Sequence, residues 1–216
     1  MPIPSRIWEF VATSIVIILA PGPTVLFIIA RAVAWGRRTA ILTAVGGILG
    51  SFILSALIAV GLGPLLQRST LAYAFIQWGG GLYLIYLGIG SLRHRHFHAA
   101  EMLESGDGEP TPWKSMREGF WVGVLNPKTL VFFAAILPQF IDRDKGSVTA
   151  QLLLLGALFA IMALISDGSW GLLAGTARNW LAGDTQRLVI LRVIGGCVMV
   201  LLGTLVIISA IARGTS

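Results

Sequence analysis

From Trp8 to Ala30 the chain is almost free of charge, yet the middle of that run holds Ala20-Pro21-Gly22-Pro23. An apolar run of this length asks to be a helix, and this tetrapeptide forbids an unbroken one. Pro21 and Pro23 have no backbone N–H, so the carbonyls four residues earlier, Ile17 and Leu19, lose their helical partners. Gly22 adds conformational freedom, and each proline disfavours the α region for the residue before it. In hydrocarbon a bare carbonyl costs several kcal/mol unless it is buried in protein or lines a wet cavity. The chain is therefore expected to break its first helix deliberately, beside something polar.

Composition supplies the setting. Of 216 residues, 56% are hydrophobic and 12% charged, with mean hydropathy +0.82, against about 25% charged in ordinary soluble domains. Six apolar runs, at about 8–30, 39–63, 71–91, 118–140, 148–174 and 188–211, are each long enough to span a bilayer core of about 30 Å. The expected fold is an all-α integral membrane protein of six transmembrane helices. The net charge of +6 does not point to nucleic acid, because the basic residues cluster in short loops between apolar runs. The apolar character continues past the prolines, which favours an uncleaved first span over a signal peptide. Cys197, the only cysteine, excludes an intrachain disulfide.

Lysine and arginine set the expected orientation. The loops after spans one, three and five hold nine, among them Arg31, Arg37, Arg38, Lys114 and Arg117. The other side holds five: Arg6, Arg68, Arg143, Lys145 and Arg213. The richer side is assigned to the cytoplasm and both termini to the outside. Residues 92–117 read as a cytoplasmic linker between a first three-helix repeat, 1–91, and a second, 118–216.

The two halves echo each other. Pro21 and Pro127 stand 106 residues apart, each in the first span of its half, and Gly50 and Gly156 repeat that spacing. Gly80, Gly81 and Gly88 return as Gly195, Gly196 and Gly203 at a spacing of 115. Three spans per half is an odd number, so the halves insert in opposite directions, a 3+3 inverted-topology repeat with a broken first helix in each half. Broken helices at matching positions are the best sequence pointer to a transporter's binding site.

Candidate substrate-binding residues follow: Pro21, Gly22 and Pro23 in the first break, and Asn126, Pro127 and Lys128 in the second. Asparagine before proline is a helix-start signal. Lys128 lies too deep to reach an interface, and a cation there costs about 2.5–3.5 kcal/mol unless it faces a cavity or an anionic partner. Asp167 is the one well-embedded carboxylate, and three roles are open to it: pairing with Lys128, binding a substrate ammonium, or carrying a proton. The Gly-x3-Gly pairs at 46/50, 119/123 and 171/175, with Ser51 and Ser55, are expected to pack helices closely within one chain. His94, His96 and His98 alternate in the linker and read as surface histidines before they read as metal ligands. No metal site, no cofactor and no catalytic residue is assigned.

Taken together the motifs resemble the group of bacterial amino-acid exporters that includes the lysine exporter (LysE) and the homoserine/threonine exporter (RhtB). The residues that carry the resemblance are Ala20-Pro-Gly-Pro23 with Arg31 and Gly36, and the glycine-rich stretch Gly46 to Gly50. Gly81-x-Tyr83-Leu-x-Tyr86-Leu-Gly88 and Gly119-Phe-x3-Leu-Asn-Pro-Lys128 with Phe132-Phe133 complete it. The resemblance implies a secondary transporter of the bacterial inner membrane. It would export amino acids or related metabolites, with the proton gradient as driving force and the midplane site between two broken helices. Many members carry an acid after the second glycine of span two; here that residue is Ser51. Two other classes stand against this reading. An inorganic-ion exporter would need more oxygen or nitrogen ligands than the spans offer, and Lys128 would repel a cation. An integral-membrane lipid enzyme would need clustered acids or histidines near the membrane surface.

Overall fold

The computed structural model describes residues 4–68, 70–94, 109–142 and 144–214. Among them every regular element is helical. The bends follow from local chemistry. Helix α1 (Ile7–Leu19) ends where Pro21 withholds its amide, and α2 (Pro23–Trp35) starts with Pro23 in its first turn, 46° away. Gly36, at φ 86°, closes α2 and lets α3 (Arg37–Arg68) begin at once. α4 spans Thr70–Arg93.

α5 (Pro112–Val124) begins inside the stretch read as linker, because Thr111 caps it: its hydroxyl accepts from the Lys114 amide at 3.3 Å, and Pro112 sits in the first turn. After a 43° bend comes α6 (Pro127–Phe140). This arm is α-helical to Val131, widens to π over Phe132–Ile136 and tightens to 3-10 over Leu137–Phe140. Pro138 explains the change, since the helix must pass a residue with no amide. Ser147 caps α7 (Val148–Thr176); the short α8 (Arg178–Ala182) and the long α9 (Thr185–Gly214) follow.

Four helical stretches are long and apolar enough to cross a membrane: Arg37–Gly61, Ala74–Arg93, Val148–Thr176 and Gln186–Ala212. The two bent pairs bring the number to six if each is one span. Outward faces carry large apolar side chains such as Trp8, Phe75, Tyr86, Leu125 and Ile165, as a lipid-facing surface requires. His96 and His98 lie outside the described residues; His94 is exposed at the end of α4.

Two glycine seams hold the helices together. In the α3–α5 seam a Cβ on Gly46, Gly50, Gly119 or Gly123 would sit 2.0–2.2 Å from a carbonyl oxygen of the facing helix. In the α4–α9 seam Gly81 faces the Gly203 carbonyl and Gly88 the Gly196 carbonyl, and each glycine of the pair answers the other. These close approaches are within one chain, where small residues let backbones touch. α3 also packs on α7, with Gly156 against Ser55 and Gly171 against Ala40. Two apolar clusters flank the bends. One gathers Phe10, Phe132, Phe133 and Phe159, with Phe132 and Phe159 ring centroids 4.9 Å apart; the other gathers Ile28, Ile29, Ala40 and Leu188.

Candidate functional site

The two bends meet. Ala20 and Gly22 are both extended, so the chain crosses from α1 to α2 without helical hydrogen bonding. The Ala20 amide still reaches back to the Val16 carbonyl, and the next intrahelical bond is Leu26 N–H to the Gly22 carbonyl, at 2.9 Å. The Ile17 carbonyl loses its partner to Pro21, and the break separates the Ala20 carbonyl from the amide four residues on.

Lys128 takes both carbonyls. Its ammonium donates to the Ile17 oxygen at 3.0 Å and to the Ala20 oxygen at 2.9 Å. The side chain is 6% exposed. In effect a lysine from the second bend caps the C-terminus of α1, where the negative end of the helix dipole favours a cation. The freed carbonyls, expected from sequence to lie beside something polar, hold the protein's own cation in this structure. Ile17 was legible as one acceptor; the second is Ala20, not Leu19.

The second bend is built around Asn126. Its side-chain oxygen accepts from the Lys128 amide at 3.0 Å, capping α6, and Pro127 fills the first helical position. Its amide nitrogen donates to the Thr24 hydroxyl at 2.7 Å, across to the first turn of α2. Thr24 is a site residue that sequence reading missed, and no spacing rule pointed to it. Asn126, Thr24 and Lys128 are all buried, so each polar atom needs a partner.

Gly22 and Pro21 act through space. A Cβ on Gly22 would lie 2.9 Å from the Lys128 ammonium nitrogen and 3.0 Å from its neighbouring carbon, so glycine here keeps room for the lysine stem. The Pro21 carbonyl lies against α9, where a Cβ on Gly195 would come within 2.1 Å of the oxygen. Asp167, on α7, is buried at 8% exposure and within electrostatic reach of Lys128. The two are not an ion pair within 4.0 Å. The cluster thus sets one fixed cation, one separate buried acid and two helix N-termini around one place. Among the described residues, no group of three or more His, Cys, Asp or Glu side chains converges.

The chain matches the model of the family described as LysE type translocator over residues 15–210. It is 30% identical over 195 residues to the homoserine/homoserine lactone efflux protein of Salmonella typhimurium, covering 89% of this chain and 91% of that one. It is 30% identical over 175 residues to an uncharacterized membrane protein of Vibrio cholerae serotype O1, covering 80% and 83%. With the leucine efflux protein of an Enterobacter species it shares 25% identity over 158 residues, covering 73% and 74%. No solved structure matches.

Proposed function

The chain belongs to the LysE type translocator family, and from that premise we propose that it is a membrane transporter that exports amino acids or closely related metabolites. The efflux proteins it is similar to support this substrate class. The observation that carries the site assignment is Lys128 bound between the two bends. An ammonium has three donors. Two go to Ile17 and Ala20, and the third is offered to the α-carboxylate of a substrate. The first turns of α2 and α6 present their positive ends to the same anion. Asp167, held apart from Lys128, receives the substrate ammonium or a proton. Pro21, Gly22, Pro23, Asn126 and Pro127 shape the two breaks around the ligand.

Export proceeds by alternating access. The two bent pairs are the moving parts, and the α3–α5 and α4–α9 seams are the frame. A 3+3 inverted repeat of residues 1–91 and 118–216, joined by 92–117, accounts for the matched bends of 46° and 43° and for the reciprocal glycines. The protein sits in the bacterial inner membrane with both termini outside, and the proton gradient drives it.

The test is a panel of labelled amino acids, homoserine, threonine, leucine and lysine among them, in inverted membrane vesicles carrying this chain. At least one should accumulate above vesicles without the protein, and collapse of an imposed proton gradient should stop it. Lys128→Ala should insert normally and accumulate none. A panel in which no amino acid accumulates sinks the reading.

A further inference from the structure

Besides the Lys128 cluster, two sets of polar side chains join the first bent pair to the second, one at each end. At one end Arg31 of α2 pairs with Glu118 of α5 at 2.5 Å. The guanidinium also lies over the rings of Phe27 and Trp35, 4.7 and 4.6 Å from their centroids, one turn to either side on its own helix. Arg31 is thus held in place by its own helix before Glu118 meets it. That removes part of the side-chain ordering that makes exposed ion pairs weak. The pair is also largely covered, with side chains 14% and 29% exposed.

At the other end Ser5 donates to the Asp142 carboxylate at 3.0 Å. Arg6 donates to the Gln139 carbonyl at 3.2 Å and lies 5.6 Å from the centre of the Phe140 ring. Asp142 is fixed from behind: the buried Gln151 side chain accepts from its amide at 2.9 Å and donates to its carbonyl at 2.7 Å. The Ser5 hydroxyl, then the Asp144 amide, hold the Asp142 carboxyl below its ordinary 3.8, so it is charged at neutral pH.

Arg6 and Arg31 stand some 25 residues apart, roughly 35–40 Å along helix, with the Lys128 cluster between them. Both sets are a few side-chain contacts away from the bends, unlike the seams, where backbones lie against each other through glycines. We propose that Arg31–Glu118 and Ser5/Arg6–Asp142/Gln139 are the two gate latches of the transport path, and that this structure has both closed around the site. The proposal rests on the transport reading and deepens it by assigning the gates. Release of one latch lets its pair of arms part while the other keeps the opposite end shut, the condition alternating access requires.

The test reads each gate without substrate. In the full chain carrying Cys197→Ser, a Thr24→Cys reporter at the centre is labelled with a membrane-impermeant maleimide in vesicles of both orientations. Labelling should be slow from both faces. Glu118→Gln should speed it about tenfold from one face only. Asp142→Asn with Arg6→Gln should speed it from the opposite face only. The charge exchange Arg31→Glu with Glu118→Arg should return labelling part of the way to the slow rate, since it restores the ion pair but not the hold of Phe27 and Trp35 on a cation. A short bismaleimide tether between Arg31→Cys and Glu118→Cys should keep that face slow while the other stays responsive to the Asp142 change, which covers the case of a Glu118 variant that folds poorly. Rates unchanged in both single-latch variants, or raised equally from both faces, overturn the proposal. Export measured alongside with Thr24 intact separates the two ideas. One-sided opening in vesicles that move no amino acid leaves the latches standing and removes the transport reading. Normal export with no one-sided opening does the reverse.

Discussion

Lys128 satisfies two carbonyls of α1 with one ammonium, and in the proposed function the same ammonium also binds the substrate. Its removal therefore has a structural cost as well as a functional one. Lys128→Ala should abolish export and lower stability by about 1–3 kcal/mol for each carbonyl left bare, as measured by unfolding in detergent. Thr24 separates the two effects. Thr24→Val keeps the shape but removes the acceptor for the Asn126 amide, and should cost about 1–3 kcal/mol, with Thr24→Ser restoring most of it. Asp142 carries the pH expectation at this scale. Its folded value lies below its ordinary 3.8, so what its charge contributes is fully present above that value and lost only as pH falls through the depressed one. Labelling through the Ser5–Asp142 end, taken relative to a free thiol at the same pH, should stay slow from pH 8 to about 5; Lys145, Arg6 and Glu9 are the other charged groups nearby. Opening within that window would show that another group titrates.

At the scale of elements, the glycines fall into two kinds that sequence spacing does not tell apart. Gly50 and Gly119 lie under a facing carbonyl, 2.2 and 2.1 Å from where a Cβ would be. Alanine at either forces α3 and α5 apart and should destabilise by about 1–3 kcal/mol or more. Gly79 on α4 has nothing within 4 Å of that point. Gly79→Ala should be neutral or stabilise by up to about 1 kcal/mol through helix propensity alone. Thermal unfolding of the three variants in one detergent checks the contrast. The breaks themselves were legible, because a proline's missing amide acts on its own neighbours. The changes of helix type along α6 were not, although Pro138 was the signal. One proline could equally have kinked or ended the helix, and the packing of Phe132 and Phe133 against Phe159 chooses among these outcomes.

At the scale of the molecule, the two halves are interleaved, not set side by side. α3 lies against α5 and α7, and α4 against α9, so the main seams join residues before the linker to residues after it. Neither half can bury its glycine faces alone. Expressed separately, residues 1–100 and 101–216 should each be unstable and inactive. Coexpressed, they should recover export, because the cut falls between α4 and α5. Recovery is read as accumulation of protein in the membrane and as clearance of intracellular amino acid. A first half that accumulates as stably alone as with its partner would contradict the interleaved packing.

The sequence by itself determined the apolar helices, the two breaks, the buried lysine between them and the orphaned Ile17 carbonyl. Each of these follows from hydropathy summed over neighbours or from the missing amide of a proline, interactions that reach no more than a few residues along the chain. Only the tertiary structure decided what answers them. That Lys128 closes on Ile17 and Ala20, that Thr24 receives Asn126, that Gly195 admits the Pro21 carbonyl and that Arg31 finds Glu118 are pairings across 87 to 174 residues. Their partners are fixed by how the helices approach one another, and glycine seams set that approach to fractions of an ångström. The first break asks for a polar partner wherever it is placed. The meeting of the two breaks makes that partner a lysine.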